Sequence, residues 1–367
     1  KYITEYRDKE LAKKLVADIA KEARPDRNYR LMEFCGGHTH VISRYGLEGI
    51  LPKNVRMIHG PGCPVCVMPI GRIDSAIELA LEHGVILCTY ADTMRVPASK
   101  GLSLMKAKAQ GGDIRMIYSA ADCLDIARAN PDKNVVFFAI GFETTTPATA
   151  VVLKQAKAEG LKNFFVFCNH VLTPPAMRHI LKNQEKVHIE GFVGPAHVST
   201  IIGSEPYETF AKDYSKPVVI AGFEPLDMLQ SILMLIRQIN RGEAEVENEF
   251  TRAVRPEGNM KAIRMMEEVF ALRDSFEWRG LGSVPKSALK LSDAYSDFDA
   301  EKHFNLVYRS VPDNKACECG AILRGEKQPS DCRAFGTVCT PESPIGSCMV
   351  SSEGACAAYF TYGRHKR

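Results

Sequence analysis

No stretch of the 367 residues approaches the ~18–20 consecutive apolar residues of a membrane span. The opening segment, Lys1 to Arg27, is charged and helical in pattern and lacks the apolar h-region of a secretory signal. The chain opens on Lys1 rather than Met, so a few residues are expected to precede it. Charge of one sign is missing too. The 47 basic and 44 acidic residues are interspersed for a net +3, which leaves no electrostatic footprint for nucleic acid. There is no low-complexity tract, and no Gly-x-x-x-x-Gly-Lys-[Ser/Thr] loop to cradle a nucleotide. The expectation is a cytoplasmic protein with neither membrane nor nucleic acid among its partners.

Cysteine, by contrast, is abundant and concentrated. Six of the twelve fall in the last 51 residues: Cys317, Cys319, Cys332, Cys339, Cys348 and Cys356. Disulfides are the bland explanation, but a chain of this length does not need them to stabilise a core, and no secretory feature supports them. Clustered thiols then point to a zinc ion or an iron–sulfur cluster. A zinc ribbon prefers two tight Cys-x-x-Cys knuckles, and only Cys317-x-Cys319 is tight here, so the wider spacings favour iron–sulfur. Four ligands are needed from six thiols. Cys319, Cys332, Cys339 and Cys356 are the expected set, with Cys317 the alternative to Cys319; the two thiols left over, Cys317 and Cys348, are either spare or a redox pair beside the cluster.

Two further cysteine groups each follow a strand-like run. Gly60-Pro-Gly-Cys63-Pro-Val-Cys66 places its first thiol near a helix N-terminus, where the partial positive charge favours thiolate. That is the geometry of a redox dithiol; half of a metal site, completed by Cys35, His38 or His40, is the alternative. In Cys35-Gly-Gly-His38-Thr-His40, a thiol beside imidazoles can bind iron or act as a nucleophile, and the two glycines would let a ligand approach the backbone. His170 and His197 sit in comparable strand-end loops and are candidates for the same site. Cys88, Cys123 and Cys168 lack such context and read as core thiols.

Continuous apolar runs alternate with helical patterns: strands near 85–89, 135–140, 164–167, 189–193 and 218–221, helices near 71–83, 122–129, 146–158, 174–183 and 226–239. This alternation implies α/β architecture with parallel sheet covered on both faces. Residues 5–24 read as an amphipathic helix and 260–275 as another. Gly-Phe-Glu follows an apolar strand twice, at 141–143 and 222–224, which hints that two strand ends open on one crevice. From Gly280 onward the pattern is irregular, and a bound cluster would supply its organising centre.

The three cysteine motifs, together with Cys-Thr-Pro-Glu and Met349-Val-Ser-Ser-Glu-Gly-Ala-Cys356, resemble the HypD family of hydrogenase maturation factors over nearly the whole chain. The resemblance implies a role in building the Fe(CN)2CO group of [NiFe]-hydrogenases. It implies work with a HypC-type small chaperone and a HypE-type cyanide donor. It implies a [4Fe–4S] cluster on Cys319, Cys332, Cys339 and Cys356, a transient iron carrying CN and CO on Cys35, and a Cys63/Cys66 dithiol exchanging electrons with the cluster. His38 is expected to assist Cys35. The implied fold is two parallel-sheet α/β domains, 31–130 and 131–245, around a central cleft. A smaller irregular and helical iron–sulfur lobe is expected from the chain termini, 1–30 with 246–367. A freestanding iron–sulfur disulfide reductase and a zinc-stabilised assembly module are the competing readings.

Overall fold

The computed structural model describes residues 4–183 and 187–363. Its centre is two parallel sheets. The first contains β1 (Tyr29–Glu33), β2 (Val55–His59), β7 (Gly191–Pro195), β8 (Val218–Ala221) and β9 (Val246–Asn248), in the order β2-β1-β7-β8-β9. The second contains β3 (Ile86–Thr89), β4 (Ile114–Met116), β5 (Val135–Gly141) and β6 (Phe164–His170), in the order β4-β3-β5-β6. Every pairing within the two sheets is parallel. All seven residues of β5 and all seven of β6 are buried. Burial of both faces is what makes such strands continuously apolar.

The sheets do not coincide with the boundary expected at residue 130. Strands from 31–130 divide between both sheets, because the chain leaves the first sheet after β2, builds the whole second sheet, and returns at β7 beside β1. The local pattern marks each strand as buried but carries no record of which strand lies beside it.

The N-terminal helix is α1 (Lys9–Glu22). Asp8 caps it, accepting from the N–H groups of Glu10 and Leu11. Ile19, with Leu15 and Val16, packs into the first sheet's core against helix Pro225–Arg241, among Leu229, Ile232 and Ile236.

The helix read over 260–275 stops at Val269. Phe270–Leu272 pairs with Leu289–Leu291, and Ser275–Trp278 with Gly282–Pro285. Phe270, Leu289 and Leu291 complete the core on one flank of the second sheet. Residues 317–363 carry the six clustered cysteines on irregular chain with short helices at Cys319–Leu323 and Ala355–Gly363. The latter packs on α2 (Gly36–Tyr45).

A candidate thiol site between the two sheets

The carboxyl ends of both sheets face a shared cleft of about 560 Å³. Loops after β1, β2 and β7 line one side, loops after β3, β4 and β5 the other, and Ser351 to Glu353 close it. This is where open parallel sheets collect their ligands. Cys35, His197, Tyr90, Asp92, Tyr118 and Glu353 are in its lining.

Cys35 ends the loop after β1 and is the N-cap residue of α2, but its side chain makes no capping bond. The thiol is left for the cleft. Its Sγ lies 3.8 Å from Nδ1 of His197, which arrives from the end of β7. Burial pushes the Cys35 thiol up to about 12, so it is protonated at neutral pH. Burial, with a smaller contribution from His38, lowers the pKa of His197, whose ring stacks on Phe223 at 3.9 Å between centroids. A neutral imidazole beside a neutral thiol can take up the thiol proton when a soft cation arrives to balance the thiolate.

A buried carboxylate fixes the backbone beneath Cys35. Glu33, the last residue of β1, accepts from the Cys35 N–H at 2.9 Å and from His59 Nδ1 at 2.8 Å, and also from the Thr39 hydroxyl. Burial pulls the His59 pKa down, but the hydrogen bond and charge of Glu33 outweigh it and the net shift is upward. The glycines after Cys35 admit protein rather than ligand. A Cβ on Gly36 would fall 2.4 Å from the Glu353 Cβ, and one on Gly37 2.7 Å from the Phe223 ring. Burial, then the charges of Asp92 and Glu33, raise the Glu353 carboxyl above its usual range.

The dithiol loop is joined to this one through backbone: Gly36 N–H donates to Gly62 O at 3.1 Å. Cys63 is the N-cap of α3 (Pro64–Val67), and its Sγ accepts from Cys66 N–H at 3.3 Å. From there the sulfurs run in a chain. The free Cys66 thiol neighbours those of Cys63 and Cys348, Cys348 neighbours Cys319, and Cys319 neighbours Cys317 and Cys356. Burial, then its two thiol neighbours, raises Cys66, whereas the neighbouring Cys319 and Cys66 thiols lower Cys348. Cys339 joins at the side, accepting from Ile345 N–H at 3.4 Å. Cys332 is half-buried with its thiol beside the Glu318 carboxylate. Cys348, expected as an extra, lies between the dithiol and the C-terminal array; nothing in its spacing signals this.

The residues around the array suit a sulfur-held group. The donors are thiols, the soft ligands of iron–sulfur chemistry. A Cβ on Gly346 would fall 2.3 Å from Cys317 Sγ and 2.6 Å from Cys319 Sγ, so only glycine leaves room beside these sulfurs. Among the described residues, no group of three or more His, Cys, Asp or Glu side chains is arranged to hold a metal ion.

Three of the candidate histidines lie away from the cleft. His38 is fully buried, its Nε2 2.8 Å from Ala221 O, tying α2 to the end of β8, and its Nδ1 has no partner. His40 meets the Tyr362 hydroxyl at 3.4 Å and so joins α2 to helix Ala355–Gly363. His170 is the last residue of β6, with Nε2 2.8 Å from the Thr149 hydroxyl and Nδ1 3.4 Å from Gly141 O. The two Gly-Phe-Glu turns also diverge. Phe142 lines the cleft, but Phe223 lies under His197, Glu143 accepts from Thr173, and Glu224 pairs with Arg7. Asp92, Glu353, Glu33 and His59 escaped sequence reasoning. Only Glu33 leaves a signal, as a charge inside an apolar strand.

His170 sets an acid limit on stability. Burial lowers its pKa from 6.5 to about 4, so the folded state binds fewer protons than the unfolded chain. Its stabilising contribution is full above pH 6.5 and is lost as pH falls from 6.5 toward 4. The expected loss is roughly 3 kcal/mol. Urea unfolding of His170→Gln should show a flatter acid limb than the parent; an unchanged limb would remove His170 as its cause.

A family model, HypD, described as "Hydrogenase formation hypA family", matches residues 10–363. The chain is 65% identical over 371 residues to the hydrogenase maturation factor HypD of Cupriavidus necator, covering 100% of this chain and 98% of that protein. Identity to HypD of Azotobacter vinelandii is 62%, with 100% and 98% covered. Identity to HypD of Escherichia coli K12 is 45%, with 99% and 98% covered. The chain belongs to the HypD family of hydrogenase maturation factors.

Proposed function

We propose that the protein serves maturation of [NiFe]-hydrogenase as scaffold and thiol reductant for the Fe(CN)2CO group. Iron is the cargo, held by Cys35 and a cysteine of a HypC-type chaperone. Cyanide arrives as a thiocyanate on a cysteine of a HypE-type donor. The observation that carries this reading is one continuous path of sulfur, Cys63–Cys66–Cys348–Cys319, starting at the loop bonded to the Cys35 loop.

The chemistry balances on the residues named. Cys63 and Cys66 give up two electrons and two protons and become a disulfide. The S–C bond of the thiocyanate breaks, one proton goes to the donor's sulfur, the other to solvent, and cyanide leaves for the iron. His197 takes the proton that Cys35 loses when its sulfur binds iron. Cys319, Cys332, Cys339 and Cys356 would hold a [4Fe–4S] cluster, with Cys317 and Cys348 beside it. When bound, that group supplies single electrons, which a dithiol can store in pairs. Burial of Cys63 and Cys66 shields the dithiol from adventitious oxidation and from protein disulfides.

Cys63→Ser tests the reductive step. In a single turnover with a thiocyanate-bearing donor peptide, cyanide release should fall by about a hundredfold or more, because the Cys63–Cys66 disulfide can no longer form. Release at the parent's rate would remove the dithiol from the reaction. Turnover of protein disulfides faster than thiocyanate would favour the freestanding reductase.

A further inference from the structure

A second cavity, of about 610 Å³, lies on the outer side of the thiol array. One wall is the loop Glu342 to Ile345, and this loop is the cover over the sulfurs. Ile345 N–H donates to Cys339 Sγ at 3.4 Å, and the next residue, Gly346, abuts the Cys317 and Cys319 sulfurs. One layer of chain thus separates the cavity from the thiols.

The opposite wall is cationic. Arg95, Lys100 and Lys106 are exposed there, against Glu342 as the carboxylate in the lining. Arg95 donates to Pro341 O and Val350 O, and Lys106 to Gly101 O. Lys100 has φ of 55°, the left-handed region that favours glycine, so its loop holds a lysine at some backbone cost. In a chain whose net charge is only +3, three exposed cations against one carboxylate give this cavity a local positive excess.

Arg279 links this wall to the dithiol. It lines the cavity, its side chain pairs with Asp313, and its N–H donates to Val67 O in α3 at 2.8 Å. Its Nη1 is buried without a partner.

We infer that this face is the docking site of a small acidic electron-carrier protein. The inference rests on the proposed function, which requires single electrons to enter at the thiol array. Positive potential at the rim draws an acidic carrier in and orients it; the thin loop then keeps the two redox centres close. Each encounter would deliver one electron from the carrier, which is oxidised, to the group that Cys319, Cys332, Cys339 and Cys356 would hold. Two encounters, with two protons from solvent, return a Cys63–Cys66 disulfide to two thiols.

The test uses the anaerobically purified full chain and, as probe, a reduced acidic plant-type [2Fe–2S] ferredoxin. The array's visible absorption is recorded first, and its bleaching is then followed by stopped flow across a salt series. The double variant Lys100→Glu/Lys106→Glu is compared with the parent and with Lys162→Glu/Lys261→Glu, which makes the same charge change elsewhere. The parent and the control should slow steeply with salt, and the docking variant should be roughly tenfold slower at low salt with a flattened salt slope. All three should be reduced equally by dithionite, which shows the array intact. Equal rates and equal salt slopes in the docking and control variants would overturn the docking site and leave the proposed function standing. Absence of a bleachable centre in the parent would overturn both.

Discussion

Cys35→Ala, purified anaerobically with its small partner, is expected to contain no iron beyond that accompanied by acid-labile sulfide, and to show no Fe–CN infrared bands. The parent complex should carry an iron excess over roughly four sulfides. The effect is near-complete because the Cys35 sulfur faces the cleft, where its side-chain neighbour is His197. Alanine removes the ligand at the cost of weak contacts from the Gly37 and His38 N–H groups, the His38 N–H also being bonded to Cys35 O, so the fold and the thiol array should persist. A protonated thiol with pKa pushed up to about 12 is a poor ligand until its proton leaves, so His197 matters to loading. His197→Phe should keep the stacked packing on Phe223 yet load iron more slowly, with rate recovering at alkaline pH. Fe–CN bands retained in Cys35→Ala would place the iron elsewhere. Equal iron and sulfide in parent and variant would favour the freestanding reductase, and zinc without sulfide would overturn both readings.

Glu33→Ala is expected to be the most destabilising single change around the cleft. It removes the acceptor for three buried donors at once: the Cys35 N–H, the Thr39 hydroxyl and His59 Nδ1. Each unsatisfied donor costs about 1–3 kcal/mol, so a loss of roughly 4 kcal/mol or more should appear in urea or thermal unfolding. Glu33→Gln keeps one acceptor oxygen and should lose less. The pair has its own pH signature. His59 is raised above 6.5 in the fold, so its contribution is full below pH 6.5 and fades as pH rises through the raised folded value. That is opposite in sign to His170, and the alkaline limb should flatten in Glu33→Ala. A loss below 1 kcal/mol, or an unaltered alkaline limb, would mean that water or a neighbouring group replaces the carboxylate.

Much of the fold was legible where the signal is local. The strand Val218–Ala221 and the helix Asp122–Ala129 fall where periodicity puts them, and β5 extends its expected range by one residue. The helix over 260–275 was overrun because Phe270 and Leu272 fit a helical stripe as well as a strand. Only their partners Leu291 and Leu289 decide between the two. The domain division failed for a related reason. Parallel strands are joined by crossovers, so β1 and β7 can be neighbours across a whole inserted sheet.

The site divides in the same way. Cys35, Cys63, Cys66 and the C-terminal cysteines were readable because thiols at such density, beside glycine and histidine, have few other uses. Which thiols touch was not readable. His197 reaches Cys35 across 162 residues, and Cys348 is brought against Cys66 across 282 (348 − 66). The sequence by itself determined the α/β class, the family and the residue types available for chemistry, since these depend on local periodicity and composition. The tertiary structure alone decided that two sheets end on one cleft, that His38 supports the fold while His197 faces the thiol, and that the sulfurs form a path. Contacts between distant segments depend on packing of the whole core, and no local pattern encodes them.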